Sequence, residues 1–305
     1  MNADTAPTAA PGSNTPAIAA LVAGAIAMGA SPIFVRLTDV GPQASAFWRT
    51  ALALPFLWFW MRIEERHAAE RTPLRLDRSI LLVGACFAAD LFFWHLSILN
   101  TTVANDTFFA VTAPVFVVVG AFVLLGERSG PRMFAGLLFC LAGGAALIGQ
   151  SYQVDPARLA GDFYGIVTAF FFGSYVMAVR HARRSHPPAR LMFLSTAVSA
   201  ALLLIAALAI PQPILPQTAQ SIWALLGLAF ISQAGGQGLL TIALGTLPAT
   251  FSSLVIFLEA IAAAALGWLV LGEKLTLVQG LGGLLILCGI FIARPRATVP
   301  AGAPL

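Results

Sequence analysis

Five ionisable side chains, Arg49, Asp90, His95, Asp106 and Glu259, stand inside runs of otherwise apolar residues. A charge near the centre of a bilayer costs at least about 2.5–3.5 kcal/mol on insertion scales, so each calls for a partner or a wet cavity. Arg49 carries a planar guanidinium fork that can hold a carboxylate through two parallel hydrogen bonds. Asp90 can receive an ammonium group, and its i, i+4, i+7 spacing to Trp94 and Ser97 puts the three on one helical face. Trp94 and Trp48 offer apolar or cation–π walls. That chemistry suits a small zwitterion.

Depth follows from the helical rise of about 1.5 Å per residue. It puts Arg49 roughly 10 Å, His95 roughly 8 Å and Asp106 roughly 6 Å below one face. Asp90 and Glu259 come out near the midplane, roughly 15 Å from either side. The simplest arrangement is a polar cavity in which Arg49 is opposed by Asp106 or Asp90. Glu259 has no obvious cation nearby and reads as a group that titrates during a working cycle. Each residue also has a plainer reading. Arg49 and Asp106 can form a permanent structural bridge, and Glu259 can stay neutral and hydrogen-bonded. His95, turned away from Asp90, can be hydrogen-bonded packing rather than a proton relay. The tryptophans can be core or interface aromatics.

These residues need elements to hold them, and composition says which kind. The chain is 59% hydrophobic and 10% charged, with a mean hydropathy of +0.87. Apolar stretches long enough to cross a hydrocarbon core of roughly 30 Å follow one another at about 16–35, 43–61, 79–99, 103–125, 131–149, 160–179, 190–210, 220–243, 248–271 and 276–293. They are continuous rather than alternating, which favours helices over a barrel. The expected fold is an all-α integral membrane protein of ten transmembrane helices. Residues 1–15 and 296–305 read as disordered tails. Gly29 with Pro32, Pro55, Pro114, and Gly235 with Gly236 are candidate hinges, where helices can bend or break.

The chain also repeats itself. Leu125-Gly126-Glu127-Arg128 returns as Leu271-Gly272-Glu273-Lys274, and in the same register Gly136 and Gly143 fall on Gly282 and Gly289. A second echo aligns Gly29–Arg36 with Gly173–Arg180, with Val176 where the first copy has Pro32. The two units are expected over 16–150 and 160–295. Five spans per unit is odd, so the second is expected upside down, giving inverted repeats whose interface holds a binding site near the midplane. The paired glycines read as close-packing positions. Glu127 and Glu273 read as helix-start caps.

Thirteen of the 17 basic residues, among them Arg62–Arg78, Arg180–Arg190 and Arg294, fall on one side of such a bundle; Arg36, Arg158 and Lys274 fall on the other. The positive-inside rule therefore puts both termini in the cytoplasm. The pI of 9.4 is then a topology signal, and no nucleic-acid partner is expected. Cys86, Cys140 and Cys288 lie within spans without metal-like spacing and read as apolar thiols. No metal or organic cofactor is expected.

The run Gly29–Arg36, Phe47-Trp48-Arg49, the segment Asp90–Ile98, Thr101–Asn105 and the twin Leu-Gly-Glu closures together resemble the drug/metabolite transporter superfamily, specifically the EamA-type exporters, which include an exporter of aromatic amino acids. The resemblance covers all ten spans. It implies a bacterial inner-membrane exporter of amino acids or related metabolites working by alternating access, as a monomer or homodimer, with a multidrug or nucleoside exporter as the competitor. The first copy's Pro114 is Ala260 in the second, so a kink in the fourth span is expected to be missing from the ninth. An intramembrane enzyme would need a reactive pair, and this chain has no Gly-x-Gly-Asp motif and no Ser/His dyad that stands out. A channel would call for a ring of like charges or carbonyls.

Overall fold

The computed structural model describes residues 14–67, 75–100, 112–126, 129–148, 159–271 and 275–294. Among the described residues the chain is helical, without strands. In order come α1 (Thr15–Met28), α2 (Ser31–Arg36), α3 (Pro42–Ala51), α4 (Leu54–Arg66) and α5 (Arg78–Asn100). Then follow α6 (Ala113–Gly120) with a π turn at Ala121–Leu125, α7 (Pro131–Ile148), α8 (Leu159–Ala182) and α9 (Pro188–Ala209). Next, α10 (Ala219–Gly227) runs through a π segment, Leu228–Gln237, into α11 (Gly238–Ala243), and α12 (Ala249–Val255), α13 (Leu258–Leu271) and α14 (Leu277–Ala293) close the chain.

Among the described residues, six stretches are long and apolar enough to cross a membrane: Thr15–Arg36, Arg78–Ser97, Leu159–Ala182, Pro188–Ala209, Ala219–Ala243 and Ala249–Val270. Shorter apolar helices cover Ala113–Leu124, Pro131–Leu147 and Leu277–Ala293. Phe59, Val123, Leu124, Leu269 and Phe291 stand outward and exposed, as a hydrocarbon solvent permits. This is a multi-pass membrane protein.

Proline decides where several helices restart. The first span breaks after Met28: Gly29 N–H still reaches Ala25 O at 3.1 Å, but Pro32 lies in the first turn of α2 and brings no donor to extend the ladder. The aligned stretch of α8 has Val176 there and runs unbroken from Leu159 to Ala182. Pro55 likewise opens α4. Pro114 sits in the first turn of α6.

The ninth span carries no break at Ala260, where the counterpart of the Pro114 kink is expected to be missing, but it is not continuous. It breaks between α12 and α13 at Ile256–Phe257 with no proline present. Ser253 Oγ donates to Thr250 O at 2.8 Å, a back-bond that competes with the helical ladder. Tighter i→i−3 bonds follow, from Phe257 N–H to Leu254 O, Glu259 N–H to Ile256 O and Ala260 N–H to Phe257 O. Gly29, at the break in the first span, has its missing Cβ 2.7 Å from Glu259 O and 2.6 Å from Ala262 Cβ. The two breaks lie against each other, and any larger residue at Gly29 would push them apart.

Several contacts join positions that correspond under a 146-residue shift of the chain. Helices α7 and α14 pack through glycine, with a Cβ on Gly136 falling 2.6 Å from Gly289 O and one on Gly143 falling 2.5 Å from Gly282 O. Between them Cys140 Sγ lies 3.6 Å from Ile286 O, 146 residues away. Gln212 Oε1 accepts from Gln43 and Ala44 N–H at the start of α3. At the other end of the α3–α4 stretch, Glu64 accepts from Ala189 and Arg190 N–H at the start of α9. Ala189 and Arg190 stand 146 positions after Gln43 and Ala44.

Each of these clamps has a neighbour. Asp39 accepts from Gln217 N–H, Thr218 N–H and Thr218 Oγ1 at 2.8–3.2 Å. At the opposite end, Asp77 caps α5 through Ile80 N–H and holds His186 Nε2 at 2.7 Å. Burial works to raise the Asp77 carboxyl, but the Ser79 hydroxyl, the Ile80 amide and the His186 imidazole outweigh it and hold it at about 2.

Candidate functional site

A cavity of about 180 Å³ opens where the broken spans meet α5, α6 and α8. Its polar wall includes Arg49, Asp90, Glu259 and Gln237; Phe87, Trp94, Phe172 and Phe257 form the aromatic part. The broken helices explain how charges are tolerated here. Arg49 lies in the last turn of α3 and Glu259 in the first turn of α13. A cation at a helix C-terminus and an anion at an N-terminus each meet the favourable end of the backbone dipole.

Arg49 is buried, with 5% of its surface exposed. Its Nε donates to Gln233 Oε1 at 3.2 Å, and Gln233 Nε2 in turn donates to Thr196 Oγ1 at 3.4 Å. The guanidinium carbon lies 5.7 Å from the centre of the Phe87 ring, within cation–π range. Glu259 and Asp90 line the same cavity as Arg49. Glu259 therefore does have a cation near it, contrary to the expectation from sequence. Among the described residues no hydrogen bond reaches the terminal nitrogens of Arg49, which leaves that edge of the fork to the cavity.

The other candidate residues divide. Asp90 and Trp94 line the cavity together, as their shared face requires, while Ser97 is buried and donates to Gly161 O. Pro32 and Pro114 also line it; Gly29 packs beneath, against the backbone of Glu259. Gly235 and Gly236 belong to the π segment, where Gly236 allows contact with Met28 Cγ. Trp48 is not in the cavity. Its indole Nε1 donates to Ile214 O at 2.7 Å and its ring packs on Phe47, so it is a packing aromatic. His95 is not in the lining either. It is buried behind Trp94, ring centres 4.8 Å apart, with Nδ1 2.6 Å from Leu91 O. Asp106, Glu127 and Glu273 lie outside the described residues.

Sequence reasoning missed the neutral polar groups. Ser31 Oγ, Thr168 Oγ1 and Gln237 Oε1 line the cavity, buried and without a hydrogen-bond partner among the described residues. Buried polar atoms are rarely left so, and a polar solute or water in the cavity would satisfy them. The run Gln233-Ala-Gly-Gly-Gln237 carried the signal: two amides four apart in an apolar span.

Comparison with known proteins agrees with this architecture. The profile of the EamA-like transporter family matches residues 15–149 and 159–294. An uncharacterized transporter of Archaeoglobus fulgidus is 29% identical over 278 residues, spanning 90% of this chain and 95% of that protein. A solved crystal structure superposes with a TM-score of 0.78 at 17% identity, covering 92% of this chain and 97% of its own, which speaks to the fold alone. With most of its length matched, the chain is a member of the EamA-like transporter family within the drug/metabolite transporter superfamily.

Proposed function

We propose that this transporter exports small zwitterionic metabolites of the amino-acid type. The open terminal edge of Arg49 carries the reading. It offers two parallel donors to a carboxylate, while Asp90 and Glu259 on the same cavity can take an ammonium group. Phe87, Trp94 and Phe172 would cover an apolar side chain.

The cycle is alternating access between two inverted five-helix repeats, near 16–150 and 160–295, in ten spans. Support comes from contacts between positions that correspond under a 146-residue shift. Gly136 meets the counterpart of Gly143, and Gly143 meets the counterpart of Gly136, as a two-fold relation between inverted units requires. The arginine asymmetry supports cytoplasmic termini, and the sixteen Arg against one Lys support a bacterial inner-membrane location. Transport by such a protein needs no catalytic group or cofactor.

Counterflow in proteoliposomes tests the substrate class, using purified protein and labelled amino acids, nucleosides and cationic dyes. Saturable amino-acid exchange that is lost in Arg49→Ala is the expected result. Movement of dyes alone, unaffected by Arg49→Ala, would replace this reading with a multidrug exporter, which the aromatic wall would then serve.

A further inference from the structure

We infer that Gln233 is a positioning residue for Arg49, holding its Nε edge so that only the terminal edge is offered to a substrate carboxylate. The inference deepens the reading of the cavity as a carboxylate site and rests on it. Gln233 is 1% exposed, and both ends of its amide are used: Oε1 accepts from Arg49 Nε, and Nε2 donates to Thr196 Oγ1. The amide is therefore fixed before any substrate arrives. A carboxylate can approach a guanidinium side-on, across Nε and one terminal nitrogen, or end-on across both terminal nitrogens. With Nε taken, the end-on approach remains.

The choice of an amide has a physical reason. A carboxylate at 233 would neutralise the guanidinium and compete with the substrate for it. Glutamine supplies one acceptor and no charge. The backbone serves the same end. Gln233 lies in the π segment Leu228–Gln237, a wider turn that often marks functional positions. At about 4.4 residues per π turn, it brings Gln233 and Gln237 close to one face.

Position also matters. Gln233 stands 146 residues after Phe87, and these are the two side chains that grip Arg49, at 3.2 Å and 5.7 Å. The guanidinium is thus held between corresponding positions of the two halves of the chain. Movement of one half against the other would change the grip directly.

Phenylglyoxal, which condenses across the two terminal nitrogens of a guanidinium, reads that edge without any substrate. Adduct at Arg49 would be followed by mass spectrometry in wild type, Gln233→Leu and Gln233→Glu, with exposed Arg62 as the internal control. Wild type and Gln233→Leu should both label. Gln233→Glu should label at least about tenfold more slowly, as expected when a charge-assisted pair closes the fork. Equal rates in wild type and Gln233→Glu, or no adduct at Arg49 in wild type while Arg62 reacts, would overturn the inference.

Competition between L-leucine and L-leucinamide in proteoliposomes supplies the second readout. Wild type should prefer the acid, and both variants should lose most of that preference, Gln233→Leu by freeing the fork to turn. A retained preference in both variants counts against the inference. Wild type that moves neither compound would sink the substrate reading, while the labelling result still judges Gln233.

Discussion

At the scale of single residues, chemistry is set by which edge of a side chain is left open. Arg49 combines a helix C-terminus, an amide acceptor and an aromatic face, and shares its cavity with two carboxylates. Replacing it with lysine keeps the charge but loses the fork. Arg49→Lys should weaken binding of a carboxylate substrate by about tenfold or more, the worth of a hydrogen bond to a charged group; substrate-dependent thermal stabilisation would measure it. A second residue-scale prediction concerns Asp77. Its carboxyl is held at about 2 in the folded protein, below the roughly 3.9 of a free aspartate. Its contribution is thus present above about pH 4 and fades as pH falls towards 2. Because Asp77 is half exposed, that contribution is no more than about 1 kcal/mol. The melting-temperature difference between wild type and Asp77→Asn should be largest near neutrality and shrink towards pH 3. A gap that stays constant would show that the pairing with His186 and Ser79 does not matter.

At the scale of elements, close packing and helix breaks do the positioning. The α7–α14 seam has no room for a side chain at Gly136 or Gly143, since each missing Cβ would fall within 3.0 Å of facing backbone. Gly143→Val should cost about 1–3 kcal/mol by overpacking, seen as a lower melting temperature in detergent. Gly280, whose Cβ would meet nothing within 4 Å, is the control: Gly280→Ala should be neutral or slightly stabilising, because alanine favours the helix. Gly126 is special for a different reason. It ends the π turn with φ +67°, the one positive φ among the described residues, so the glycine of the Leu-Gly-Glu closure is a left-handed helix cap. Gly126→Ala should cost about 1–2 kcal/mol despite the open space around it.

At the scale of the whole molecule, the two ends of the α3–α4 stretch are tied by corresponding clamps, Gln212 on α3 and Glu64 on α9. In an inverted-repeat transporter these clamps would face opposite sides of the membrane. Single cysteines at Gln217 and Arg184, both exposed, in a background without Cys86, Cys140 and Cys288, test this. A membrane-impermeant maleimide added to intact cells should label position 217 and spare 184. Labelling of both from the same side would refute the topology.

Much of the molecule was legible without coordinates. Helical membrane class and the family resemblance both depend on hydropathy and local motifs, and those are written residue by residue. The glycine seam was legible too, because a repeat at one register forces equivalent faces to exist. The presence of Arg49, Asp90 and Glu259 in the membrane was equally plain, since nothing else in an apolar run is so costly. What only the tertiary structure decided was who meets whom. Glu259 and Asp90 come to the cavity that holds Arg49, Trp48 turns away to Ile214, and Gln233 takes the guanidinium. The break before Glu259 was hidden as well, because it occurs where proline is absent. Local sequence sets the cost of each group in the membrane, but its partner arrives from a helix more than a hundred residues away, and only packing brings the two together.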